Sequence, residues 1–435
     1  MLRSSIVVTF ITLLGSALGF IVQLILAHRF GAGTDVDTYL FAISWPTFVA
    51  GMVSAFLSYV AIPELVSRER NADIQRDYFM TSLAVIGGFS VLILIAGIGL
   101  GSLQLASLPA DSVIREHPAR NSLVRLGWLI CASQIVQAYL LSTLHARRRH
   151  ISSATLGLLP YVGMICLTAT LSSQIGVTSI ALGMLLGSVA AALLAGACLR
   201  GQFTGDAPRR WLWRDVGTLF ATAPYAAVAL SCFSIYAVVD AYWAPRAGEG
   251  VLASLGYAQR LVIAIGNLAV AGPSAILVPR ITDLARHGDP AALRGFLRKT
   301  VLIVAAAATV FALPLAVLPD LLVRLMFARG NFSSHDVANV ASTLAHMTPG
   351  MVCMLISVIS LRALFCLPGA EKVAAVLGAA WGVLYFAASA LWMHDGATGL
   401  ANAYSVTWMM ICAAMVTILF KKAGGDAHGR ATASV

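Results

Sequence analysis

The feature that most constrains this chain is a recurring apolar run about twenty residues long, broken by short loops that hold nearly all the charge. The first run, 6–27, contains no ionisable side chain. A helix needs about 20 apolar residues to cross about 30 Å of hydrocarbon. Runs at 6–27, 39–62, 79–100, 123–143, 152–171, 177–199, 216–240, 252–278, 300–319, 337–361, 373–393 and 399–420 come to that length, which predicts about twelve spanning helices. Composition agrees: 59% of the residues are hydrophobic and 11% charged, where soluble domains carry about 25% charged residues. Lipid is the solvent that tolerates such an exterior, provided each span satisfies its own backbone. The run at 6–27 is too long for a signal-peptide core and lacks a cleavage site, so it reads as the first spanning helix.

The net charge of +10 raises nucleic acid as a partner, and its distribution argues against it. The largest basic cluster is Arg147, Arg148 and Arg149, and the loops lack the spaced aromatic platforms that bind single strands. Lys and Arg instead mark topology. One alternating set of loops (the N-terminus, 63–78, 144–151, 200–215, 280–299, 362–372 and the C-terminus) holds 21 of the 29, and the other set holds 7. Both termini are therefore expected in the cytoplasm of a bacterial inner-membrane protein. Six of the seven cysteines lie inside apolar runs, and no CxxC or Cys/His cluster occurs. Neither a disulfide framework nor a metal site is expected.

The two halves echo one another. FGAGTDVDTY (30–39), an apolar run and Ile62-Pro63-Glu64-Leu65 stand in the first; RAGEG (246–250), an apolar run and Val278-Pro279-Arg280-Ile281 stand in the second. Six spans separate the copies, so both share one orientation. Parallel repeats of this kind place a substrate path at their interface. The expected organisation is an all-α polytopic protein with a six-helix lobe at 1–199, a cytoplasmic linker at 200–215, a second six-helix lobe at 216–420 and a tail at 421–435. Within 280–299, Asp289-Pro290 reads as a helix start. Leu293, Phe296 and Leu297 on one face, with Arg294, Arg298 and Lys299 nearby, predict a short helix on the membrane surface.

Catalytic signatures are lacking. There is no phosphate-binding GxxxxGK[ST] loop and no HExxH. The longest outer loop, 101–122, carries Asp111 and Glu116, which form no recognised catalytic or metal-site motif. Neither an enzyme nor a cofactor is expected. What remains is a set of polar residues at membrane depth. Arg260 lies about nine residues into its span beside Gln259. A charge at the bilayer centre costs about 2.5–3.5 kcal/mol, so it either lines a polar cavity or snorkels to an interface. Asp37 opens the second span, as a cavity acid or as a helix-dipole acid. Asp240 closes the seventh and either acts in ion coupling or gating or bridges to Arg246. Gln23 and Asn267 are further cavity candidates, although such amides also serve as interhelical glue. Gly183-xxx-Gly187 reads as a packing motif. Pro46, Pro160, Pro224, Pro273, Pro314 and Pro349 interrupt six spans, as is common in transporters that rock between states.

FGAGTDVD (30–37), Pro46, Pro63, YAQRL (257–261), LVPR (277–280) and FARGNFSSHD (327–336) follow one another in the order seen in the MviN/MurJ lipid II flippase family of the multidrug/oligosaccharidyl-lipid/polysaccharide (MOP) exporter superfamily. The chain resembles that family over residues 1–420. The resemblance implies two six-helix lobes around a cationic cavity that passes a polyprenyl-diphosphate-linked sugar across the bilayer. It implies that Arg260 is the cavity arginine, Asp37 the acid opening the second helix, and Asp240 part of a cation site in some members. The chain departs from the family at Ser16, Val22 and Ala50, where lipid II flippases carry arginines, and at Val383 and Ala387, where polar cation ligands are expected. The extra C-terminal helix pair of many members is missing. These departures favour a flippase of lipid-linked anionic glycans for surface polysaccharide; a monomer, with polysaccharide-assembly enzymes as partners, is the accompanying expectation. Lipid II itself, a small-molecule exporter and a membrane glycan polymerase are the rival readings.

Overall fold

The structure, a computed structural model, describes residues 2–67, 72–200, 211–213, 233–287, 290–367 and 370–431. Cα packing divides the chain into two units. Unit 1 holds Met1–Gly250 with Arg329–Phe332, and unit 2 holds Val251–Ala328 with Ser333–Val435.

In unit 1 the described helices are α1 (Leu2–Phe30), α2 (Thr34–Ser67), α3 (Ala72–Ala106), the single turn α4 (Val113–Glu116), α5 (Arg120–Ala146), α6 (His150–Leu156), α7 (Leu159–Ile175), α8 (Thr178–Arg200) and α9 (Tyr236–Ala247). The central helix is α5, which packs on α2, α3 and α8 and buries Trp128, Ile130, Ile135, Tyr139 and Leu144. Gly183 and Gly187 let α8 lie directly on the backbone of Gly163 and Leu159 in α7, as the small-xxx-small pattern predicts.

Unit 2 holds α10 (Val251–His287), α11 (Pro290–Val317), α12 (Pro319–Phe327), α13 (Ser334–Phe365), α14 (Glu371–Trp392) and α15 (Gly396–Ala431). A capping box starts α13: the Asp336 N–H donates to Ser333 Oγ, and the Ser333 N–H donates to the Asp336 carboxylate. Pro349 lies inside α13. One residue later the Ser405 hydroxyl of α15 enters the helical ladder, accepting from the Gly350 N–H at 3.1 Å and donating to the His346 carbonyl at 2.6 Å. A side chain inserted at a proline is a known way to re-satisfy a disturbed helix.

Large apolar side chains cover the outside. Leu92, Ile98, Val310, Val383 and Leu391 are all more than half exposed, which hydrocarbon accommodates and water does not. Among the described residues, nine segments are long and apolar enough to cross a membrane; one of them, Lys372–Ala423, contains both α14 and most of α15. The expected number of twelve is not reached by this measure, in part because most of the expected span at 216–240 lies outside the described residues.

Two expectations change, while the interruption expected at Pro160 is found: the run at 152–171 is two helices, α6 and α7, separated at Gly157 and Leu158. The expected surface helix at 290–299 is instead the first turns of the continuous α11, although Leu293 and Leu297 are buried while Arg294, Arg298 and Lys299 are exposed. The Asp289 cap lies outside the described residues. Prolines also break fewer helices than expected. Helices α2, α10, α11 and α13 run on through Pro46, Pro273, Pro314 and Pro349, and Pro224 lies outside the described residues.

Candidate functional site

A polar junction forms at one end of unit 1. Asp37 sits in the first turn of α2 and is 3% exposed. Its carboxylate accepts the Gly250 N–H at 2.7 Å, which ties the turn entering α10 to α2. Gly250 has φ +73°, and a Cβ there would lie 2.6 Å from the Ala32 carbonyl oxygen, so the close approach requires glycine. Beside it the Thr34 hydroxyl donates to the Glu249 carboxylate. Asp35 meets the His117 ring at 2.8 Å. Arg246 donates to the Ser107 carbonyl at 2.6 Å and to the Tyr242 carbonyl, and its guanidinium carbon lies 3.8 Å from the centre of the Tyr242 ring. The segments around residues 33, 107–117 and 246–250 thus meet at one end, as the alternation of loops requires.

The second feature is a strip on α10. Arg260 is exposed, while Leu255, Tyr257, Ala258, Leu261 and Val262 around it are buried. Gly256 and Ala264, one turn to either side, are half-buried and exposed. They are too small to cover the guanidinium. Nine residues from the start of the helix, Arg260 lies about 13 Å along its axis from the Gly250 turn. Gln259 is half-buried next to it. Asn267 stands two turns further along the same helix; its side chain lies outside the described residues.

The remaining candidates are placed as follows. Gln23 on α1 is 8% exposed and Asp240 on α9 is 3% exposed. Asp240 and Arg246 are six residues apart on one helix and therefore on different faces. Val22 and Ala50 are buried at 5% and 2%, so two of the positions read as missing cavity arginines are packing positions here. Ser16 is exposed, and its hydroxyl donates to the Thr12 carbonyl. The parts of the junction that sequence reading missed are Thr34, Glu249, Gly250, Asp35 and His117. The available signal was the pairing of TD at 34–35 with GEG at 248–250 across the repeat. No metal-holding group of three or more His, Cys, Asp or Glu occurs among the described residues.

Helices of this length, with lipid-type exteriors and polar residues gathered at helix ends, define a multi-pass helical membrane protein. A solved structure of lipid II flippase MurJ in an inward closed conformation matches with a TM-score of 0.80 at 19% identity, covering 95% of this chain and 87% of that one. An inward-facing multidrug resistance MATE transporter of the MOP superfamily matches with a TM-score of 0.73 at 14% identity, covering 94% and 96%. The family profile described as lipid II flippase MurJ matches residues 26–433, and the chain belongs to that family. Two relatives, each named probable lipid II flippase MurJ, agree. The Haemophilus influenzae protein is 24% identical over 80% of this chain and 73% of its own length. The Vibrio cholerae protein is 24% identical over 83% and 72%.

Proposed function

We propose that this MurJ-type flippase carries a polyprenyl-diphosphate-linked glycan, with Arg260 as the group that attracts the diphosphate. The observation that carries the reading is the exposed Arg260 on a strip of small residues about 13 Å into α10. Hydrocarbon is a costly neighbour for that charge, so the strip reads as the wall of a polar passage. An arginine fork matches phosphate oxygens and keeps its charge at any physiological pH. Gln259 extends the same wall; Gln23 and Asn267 are further proposed substrate-contacting residues. Asp37 anchors the Gly250 turn that precedes α10. Asp240 and Arg246, on the short helix preceding that entry, are assigned to ion coupling or gating.

Two cargoes share this chemistry. Membership in the MurJ family favours lipid II. The exposed, uncharged Ser16 favours the precursor of a surface polysaccharide, since stripping water from lipid II calls for more than one fixed cation. The burial of Val22 and Ala50 removes two of the three positions on which the distinction was built. Lipid II therefore stands level with the polysaccharide precursor, and complementation separates them. Expressed in a strain depleted of its own lipid II flippase, the protein prevents lysis if lipid II is a cargo. Lysis with normal membrane abundance, together with loss of a surface glycan on deletion of its gene, assigns the polysaccharide precursor. Lysis with no change in any surface glycan contradicts both.

A further inference from the structure

Beside the junction, unit 1 contains a cavity of about 250 Å³ formed where α1 and α7 end. Its polar lining is His28 and Arg29 from the last turn of α1, Ser172 and Ser173 from α7, and Asn331 from the FARGNF segment. No carboxylate lines it. Basic residues in a last helical turn ordinarily serve the free carbonyls of that turn. Here three of those carbonyls are already occupied. The Gly31 N–H donates to Ala27 O at 2.9 Å, the Asn331 N–H to His28 O at 2.9 Å, and Asn331 Nδ2 to Arg29 O at 2.7 Å. Gly330 makes this possible: its φ is +66°, and a Cβ would collide with the His28 carbonyl and ring. The 330–331 turn thus seals the negative end of α1. Among the described residues the Arg29 guanidinium has no hydrogen-bond or ion-pair partner, and it borders a cavity rich in donors.

The cavity also sits at a defined depth. The membrane-crossing segments Val7–Phe30 and His150–Ile175 both end at it, and below it the two helices expose Ile21, Tyr161 and Val162. Its volume is below the roughly 300–1,000 Å³ of pockets that enclose whole drug-sized ligands, and it suits a single phosphate with the glycerol beside it. We infer that this cavity is a binding site for the phosphate of an anionic phospholipid, held by Arg29, Ser172 and Ser173 while its acyl chains lie along α1 and α7. It lies within unit 1, whereas the Arg260 strip belongs to unit 2, and the inference does not depend on the cargo of that strip.

The purified full-length protein, in a neutral detergent, is titrated with dioleoylphosphatidylglycerol and with dioleoylphosphatidylcholine, and bound lipid is counted by native mass spectrometry. Wild type is expected to bind the anionic lipid in preference to the zwitterionic one. Arg29→Gln and Ser173→Trp, both at exposed positions, are expected to weaken anionic-lipid binding by about tenfold or more, the loss typical of one charge-assisted hydrogen bond. The first removes the charge and the second fills the cavity, so either variant decides alone. Unchanged anionic-lipid binding in a folded variant overturns the site. Sodium phosphate alone raising the melting temperature as much as the anionic lipid does also overturns the lipid assignment, leaving a soluble anion as the ligand.

Discussion

Asp37 accepts the Gly250 N–H while almost removed from solvent, and that pairing sets what its substitutions do. A buried hydrogen bond to a charged acceptor contributes about 1.5–3 kcal/mol, and loss of one partner strands the other. Asp37→Ala is therefore expected to lower the stability of the detergent-solubilised protein by about 2 kcal/mol. Asp37→Asn, which keeps an acceptor oxygen, is expected to lose less. Thermal unfolding of the three proteins checks the order, and an alanine variant as stable as wild type contradicts it. In the sequence, Asp37 was legible as an important acid at a helix start, but its partner was not. A backbone N–H 213 residues away carries no side-chain signature. Val22 and Ala50 show the converse limit. Their identity is plain in the sequence, but whether they face a passage or a neighbouring helix is decided by packing.

At the scale of elements, hydropathy located most of the spans, nine membrane-length segments among the described residues, because lipid imposes length and apolarity on each helix separately. Ends and interruptions were less legible. Pro160 stands at a real break, whereas Pro349 stays inside α13 because Ser405, from another helix, inserts its hydroxyl beside it. No local pattern distinguishes these two prolines. Ser405→Ala would leave the Gly350 N–H and His346 carbonyl without that bridge. It is expected to destabilise the protein by about 1–3 kcal/mol, read as a lower melting temperature, and Ser405→Thr is expected to recover part of the loss. The loops make a separate prediction from their excess of Lys and Arg. In a cysteine-free variant, single cysteines placed in 144–151, 200–215 and 280–299 should resist an impermeant thiol reagent in intact cells. Labelling at any of them reverses the orientation.

For the whole molecule, the account rests on one charge. The family match and the fold make the chain a MurJ-type flippase, and the proposed step is diphosphate attraction by Arg260. The most direct measurement is transport of a fluorescent polyprenyl-diphosphate disaccharide in proteoliposomes, comparing wild type with Arg260→Ala and Arg260→Lys at equal protein content. The alanine variant is expected to lose about tenfold to a hundredfold in rate, as follows from removing a charge-assisted phosphate contact. The lysine variant is expected to fall between, because an ammonium lacks the planar fork. An alanine variant that transports at the wild-type rate would contradict the central claim and leave Arg260 as a charge reaching for the membrane surface.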